Sequence, residues 1–144
     1  CILIGNVIGD IKKNLIALGG DRINTKYNID EILDPKFIAD SIKFSEVQWN
    51  GTKSHVFGIN DVKKYGDYLI NIINELQAPV KVAKTKQVWT DMSTNDVIEY
   101  LVDMIFLVLR EIQDIKETIS NLDAMGNMGI SIFDIGDKKS KRQF

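Results

Sequence analysis

The apolar residues between Ile98 and Leu122 follow the longest regular pattern in the chain. They recur at spacings of 3, 4, 3, 4, 3, 4 and 3 residues, which makes four heptads of isoleucine, leucine and valine. A strict seven-residue repeat keeps one apolar face turned toward a partner helix as the two helices supercoil. The pattern predicts a long helix over 94–122 with these oligomer-interface residues: Ile98, Leu101, Ile105, Val108, Ile112, Ile115, Ile119 and Leu122.

The two halves of this heptad helix differ. Between Val97 and Leu109 further apolar residues lie all round the helix, whereas after Arg110 only the heptad positions are apolar. The first half is therefore typical of a buried helix and the second of a contact seam on a solvated one. The helix is about 43 Å long at roughly 1.5 Å per residue, and a compact domain of this size is about 30 Å across. Packing within its own bundle is the competing interpretation, but length favours a seam that also joins subunits, as a dimer or trimer.

Shorter patterns predict the elements that surround this helix. Apolar stripes indicate three further helices: 7–18, 35–41 and 61–77. The Asp34-Pro35 pair marks the start of the second, and the third starts at a capping Asn60 and ends at Ala78-Pro79. Between the first two of them, the polar segment 21–28 is predicted to be a loop. The Gly19-Gly20 pair is expected to end the first helix, because glycine accepts the left-handed conformation of a helix cap.

Two segments carry the spacing of β structure. Residues 44–49 and 52–57 flank Asn50-Gly51, the dipeptide that suits the tight turn of a two-residue hairpin. Residues 80–89 alternate apolar and polar positions and include lysines, as an edge strand does. We therefore predict an α+β fold of three to four helices, one of them long and heptad-patterned, with a β-hairpin and one or two short strands.

The chain after Gly126 has a different character from the rest. Four apolar residues indicate an arm that makes contacts: Ile130, Ile132, Phe133 and Ile135. Four basic residues follow as candidate phosphate contacts: Lys138, Lys139, Lys141 and Arg142. The predicted organisation is one compact domain at 1–125, including the long helix, and an arm with a basic tail at 126–144.

Composition limits the chemistry of this chain. One histidine and one cysteine among 144 residues exclude a histidine-rich metal site, a zinc cluster and an internal disulfide. Cys1 as a nucleophile, His55 opposite Glu46 as a base, and Asp30-Glu31-Asp34 as a cation site each have a simpler structural interpretation. Trp49 and Trp89 are interpreted as core or interface anchors rather than base-stacking residues. We predict no catalytic residue, no metal and no cofactor.

These observations favour a protein that works through contacts. The net charge of −2 argues against a nucleic-acid coat, and no apolar run reaches the roughly 18–20 residues of a membrane span. No signal-peptide pattern is visible, so a cytoplasmic or virion location is expected. We predict a non-enzymatic assembly protein that binds itself or other subunits. A phage or viral virion is one setting, since isoleucine, asparagine and lysine make up a third of the chain, as AT-rich coding produces. The alternative is a small nucleic-acid-binding regulator dimerised by the long helix.

Overall fold

A computed structural model describes residues 2–47, 57–92 and 94–127, and within these ranges the chain is helical and contains no strand. The helices, in chain order, are α1 (Ile2–Tyr27), α2 (Ile29–Ile32), α3 (Pro35–Val47), α4 (Ile59–Leu76), α5 (Pro79–Asp91) and α6 (Val97–Asn127). The predicted α+β class is therefore wrong for the described part of the chain.

The predicted edge strand at 80–89 is helix α5. Pro79 occupies its first turn, where the missing N–H of proline costs no hydrogen bond. Thr85 and Trp89 are buried four residues apart, whereas Val80 is 85% exposed. The buried face of α5 thus follows the helical period. The alternation of valines did not reveal this face, because Thr85, one of its two buried residues, is polar.

The first strand of the predicted hairpin is helical as well. Helix α3 continues to Val47, so residues 44–47 are not extended. Ile38 and Ile42 are buried at a helical spacing, and no glycine or proline follows that would end the helix. Extending a formed helix costs less than starting a new element. The Asn50-Gly51 pair and His55 lie outside the described residues.

Helix α1 is two helical segments joined at Gly20. This residue has φ 72° and ψ −167°, a conformation that side-chain-bearing residues rarely adopt. The predicted stop at Gly19-Gly20 is therefore a sharp kink, and the predicted loop at 21–28 is wrong, because the helix resumes and runs to Tyr27. Ile23, in the resumed segment, is fully buried and explains why this segment folds back into the core.

Capping residues set several helix boundaries. The Asp34 carboxylate accepts hydrogen bonds from the backbone N–H groups of Lys36 and Phe37, at 3.1 and 3.2 Å, as the Asp-Pro pair predicts. Helix α4 begins at Ile59, two residues earlier than the predicted cap at Asn60 implies. The carboxylate of Asp61 accepts a hydrogen bond from the N–H of Gly58 at 2.8 Å, which fixes that start.

The chain divides into two compact units, with the first ending at Ile112 and the second starting at Gln113. In the first unit α1 packs against α2, α3 and α4, and α4 packs against α5. Its largest fully buried side chains come from α1, α2, α4 and α6 and from the loop residue Leu33: Ile11, Leu15, Ile23, Ile29, Leu33, Val62, Leu69, Ile72, Ile73, Met104 and Val108. The predicted boundary at residues 125 and 126 stays a prediction.

Candidate functional site

Helix α6 carries all eight heptad residues, and a single carboxylate fixes where it begins. Asp96 Oδ1 accepts hydrogen bonds from the backbone N–H groups of Ile98 and Glu99, at 2.9 and 3.0 Å. A negative charge at this position also stabilises the positive end of the helix dipole. Asp96 is therefore the N-cap of α6.

The heptad face of α6 is buried in its middle and exposed toward both ends. Four consecutive heptad residues are at most 5% exposed: Leu101, Ile105, Val108 and Ile112. Ile115 is buried as well, whereas Ile98, Ile119 and Leu122 are 43–49% exposed. The middle of the face thus belongs to the core of the first unit. We call the exposed pair Ile119 and Leu122 the open seam.

The open seam lies on a stretch of helix whose side chains are all exposed. Every residue from 116 to 123 is exposed, including the two apolar heptad residues. Thr118, Ser120 and Asn121 in this stretch have weaker helix propensity than alanine, leucine or lysine. Most helical stability in proteins comes from packing of an apolar face rather than from propensity. This part of α6 therefore gains little stability from packing within the described part of the chain.

A buried carboxylate joins three helices at the end of the first unit. Glu111 Oε1 accepts a hydrogen bond from Gln77 Nε2 at 2.7 Å and lies 3.5 Å from Lys81 Nζ. Arg110 Nε donates to the other oxygen at 3.3 Å. Asn74, one turn before Gln77, has buried amide atoms with no hydrogen-bond partner among the described residues. This cluster fixes the positions of α4, α5 and α6 relative to one another.

An aromatic cavity of about 360 Å³ lies between α4, α5 and α6. Trp89 and Tyr100 stack in parallel at its wall, with ring centroids 5.3 Å apart and an interplanar angle of 7°. Trp89 Nε1 donates to Asp67 Oδ1 at 2.7 Å, and Lys63 Nζ lies 3.3 Å from the other oxygen of this carboxylate. Burial raises the pKa of the Tyr100 hydroxyl.

The indole of Trp89 occupies space that Gly66 leaves open. A Cβ at Gly66 would lie 2.1 and 2.2 Å from two carbons of the indole ring, far inside contact distance. Sequence reasoning missed this pair. A glycine inside a strongly periodic helix was the signal for it, because such a glycine usually marks close packing.

The cavity supplies little chemistry of its own. Trp89 and Tyr100 cover each other's faces and are both buried, so neither ring is a free platform for a base or a sugar. Asp67 already accepts from Trp89 and pairs with Lys63. Among the described residues that line it, no nucleophile is paired with a base. The residues around the cavity therefore pack as the edge of the hydrophobic core.

A tyrosine–carboxylate cluster attaches the second segment of α1 to α4. Glu75 accepts a hydrogen bond from the Tyr27 hydroxyl and lies 2.8 Å from Lys26 Nζ. The Tyr68 hydroxyl donates to the backbone carbonyl of Tyr27 at 2.7 Å. Burial, followed by the hydrogen bond to Glu75, raises the pKa of Tyr27 to about 12. Burial, followed by the neighbouring Tyr27, raises the pKa of Tyr68 to about 12, and the hydrogen bond from Lys26 lowers the pKa of Glu75.

The remaining candidates from the sequence are either engaged in local structure or outside the described residues. Asp30 accepts from Asn24 Nδ2 at 3.0 Å, and Asp34 caps α3. No group of three or more metal-ligating side chains occurs in the described ranges. Cys1, the arm residues and the basic tail fall outside those ranges. Their predicted roles, Ile130, Ile132, Phe133 and Ile135 as contacts and Lys138, Lys139, Lys141 and Arg142 as phosphate ligands, stay predictions.

Comparison with known proteins adds no relative. No family model, curated protein or solved structure matches the chain. Among the helices that the structure describes, none combines the length and apolarity that crossing a bilayer requires.

Proposed function

We propose that this protein acts by self-association, and that the open seam of α6 is one of its contact surfaces. The observation that carries the proposal is the exposure of Ile119 and Leu122 on a helical stretch with no other apolar side chain between residues 116 and 123. Both residues continue a heptad register that starts at Ile98. A helix with that register is complementary to a second helix of the same kind, so a second copy of the chain is the partner that fits.

The size of the seam sets the expected strength of association. Full burial of an isoleucine or leucine side chain is worth about 1.5–3 kcal/mol, and a little under half of each side chain is still exposed. Burying the remainder contributes roughly 1 kcal/mol per residue, or about 4 kcal/mol for the four residues of two copies. That gross gain only matches the smallest estimates of the free energy that association itself costs. Self-association through this seam is therefore weak and depends strongly on protein concentration, as suits an assembly held by several contacts.

The experiment compares sedimentation velocity of the full chain with two double variants, over a concentration series reaching the millimolar range. Ile119→Asp/Leu122→Asp places four charges in the seam of a pair and is expected to abolish the contact. Ser120→Asp/Asn121→Asp adds as many charges to the same turn outside the heptad face and is expected to leave association unchanged. A wild-type chain that stays monomeric throughout, or equal effects of both variants, would contradict the proposal.

A further inference from the structure

Helix α6 exposes a second apolar surface within the first unit, which we call the Phe106 stripe. It consists of Ile98, Val102, Phe106 and Leu109, whose spacings of 4, 4 and 3 residues place them on one side of the helix. Phe106 is 65% exposed, and Val102 and Leu109 are half-buried. Three of its four residues, Val102, Phe106 and Leu109, are at neither apolar position of the heptad, so the stripe is separate from the open seam.

Two opposite charges flank the stripe on the same side. Asp103 and Arg110 are seven residues apart, which is close to two helical turns, and Phe106 lies between them. Asp103 is half-buried and makes no hydrogen bond or ion pair with the described residues. Arg110 has a side chain 65% exposed, and its Nε contacts Glu111 at 3.3 Å. The remaining guanidinium nitrogens leave Arg110 able to bind a second carboxylate.

We propose that the Phe106 stripe pairs with the same stripe of a second copy, with the two α6 helices antiparallel about a two-fold axis between residues 106 and 107. This arrangement places Asp103 of each copy beside the partner's Arg110, so the ion pair forms twice, and brings the two Phe106 rings together at the centre. A parallel two-fold arrangement would instead place each Asp103 level with the partner's Asp103, on the opposite edge of the contact, and would form neither ion pair. Opposite charges across a contact therefore fix its register and orientation.

The inference does not require the open seam, but it extends the proposed function. Two different two-fold contacts on one chain join each copy to two neighbours and produce a repeating assembly rather than a closed dimer. The weak seam estimated above is then reinforced by a second contact in the same assembly.

The first experiment tests register by charge reversal in full-length chain that carries Ile119→Asp/Leu122→Asp, so that the seam is blocked. Sedimentation velocity is expected to show a dimer in this background. Asp103→Arg or Arg110→Asp alone is expected to weaken dimerisation about tenfold or more, because each replaces two ion pairs by two repulsions. The combined Asp103→Arg/Arg110→Asp chain is expected to restore it. A face that merely stabilises the fold would show no such rescue.

The second experiment tests orientation by cross-linking. In a Cys1→Ser background, Asp103→Cys/Arg110→Cys is expected to form a covalent dimer on mild oxidation, whereas Asp103→Cys alone is not. The reason is distance: residues 103 and 110 of one helix, and the two 103 positions of an antiparallel pair, are separated by about 10 Å along the axis. Disulfides need Cα atoms within roughly 4.4–6.8 Å. Cross-linking of the single variant as fast as the double variant would overturn the antiparallel register.

The two proposals fail in different ways. If the seam-blocked chain is monomeric at every concentration, the Phe106 stripe does not bind a second copy and the inference is overturned, whatever the wild-type mass. If Phe106→Asp is monomeric while the seam-blocked chain keeps the wild-type mass, the inference stands and the open seam is not a contact. Thermal melts by circular dichroism confirm that each variant keeps the helical fold.

Discussion

Helix propensity predicts that Gly66→Ala stabilises the protein, whereas core packing predicts that it destabilises the protein. Gly66 lies inside α4, and replacing an interior helical glycine by alanine ordinarily stabilises a helix by about 1 kcal/mol. Here the added Cβ would meet the Trp89 indole at 2.1 Å. The indole must shift by more than an ångström, since ordinary contacts begin near 3.4 Å.

The cost of that shift exceeds the gain in propensity. Overpacking a core typically costs about 1–3 kcal/mol. Moving the indole also weakens the stack with Tyr100, worth about 0.5–1.5 kcal/mol, and the hydrogen bond to Asp67, worth about 1 kcal/mol. We expect Gly66→Ala to lower the free energy of unfolding by about 2–3 kcal/mol net.

Urea unfolding followed by far-ultraviolet circular dichroism measures this change, with two controls. Gly9→Ala in α1 has its nearest neighbour, Pro35 Cγ, at an ordinary 3.8 Å and is expected to stabilise by about 0.5–1 kcal/mol. In a Trp89→Leu background the obstacle is gone, so Gly66→Ala is expected to become neutral or stabilising. If Gly66→Ala stabilises the otherwise unaltered chain as Gly9→Ala does, the indole does not occupy this space and the reasoning fails.

Three further predictions concern other parts of the first unit. Gly20→Ala is expected to cost about 1–3 kcal/mol in urea unfolding, because its φ of 72° and ψ of −167° strain a side-chain-bearing residue; an unchanged midpoint would argue against the kink. Glu111→Ala is expected to cost about 3 kcal/mol by the same assay, since it leaves the buried Gln77 amide without its acceptor; a loss as small as at an exposed site would contradict the buried cluster. Stability is expected to fall between about pH 10 and pH 12, because unfolded tyrosine loses its proton near 10 while Tyr27 and Tyr68 keep theirs to about 12. Replacing both by phenylalanine should flatten that fall, as urea midpoints against pH would show.

Local signals predicted the helices where a cap and an apolar stripe agreed. Asp34-Pro35, Ala78-Pro79 and the heptads of α6 each mark a helix boundary or face that the structure contains. Local patterns do not show which side chains meet in the folded chain. Lys81 was predicted to lie in an edge strand, yet it is helical and its Nζ lies 3.5 Å from the buried Glu111, whose position no local pattern gives.

The same limit applies to the candidate site. The heptad repeat identified the eight residues of the α6 face, but periodicity alone cannot tell which of them the chain buries by itself. The structure shows Val108 and Ile112 in the core and Ile119 exposed, although all three follow one pattern. The Phe106 stripe was missed because apolar residues all round 97–109 indicated a fully buried helix, whereas Phe106 is 65% exposed and Ile98 is 49% exposed.

The kink at Gly20 leaves seven residues, 21–27, as a separate helical segment. A helix of seven residues does not form alone in water, because the free-energy cost of nucleation exceeds the gain from two turns of hydrogen bonds. Its backbone order therefore depends on Ile23 in the core and on the attachment of Lys26 and Tyr27 to α4. Amide hydrogens of this segment should exchange with solvent together, in a local opening that leaves the preceding turns of α1 protected.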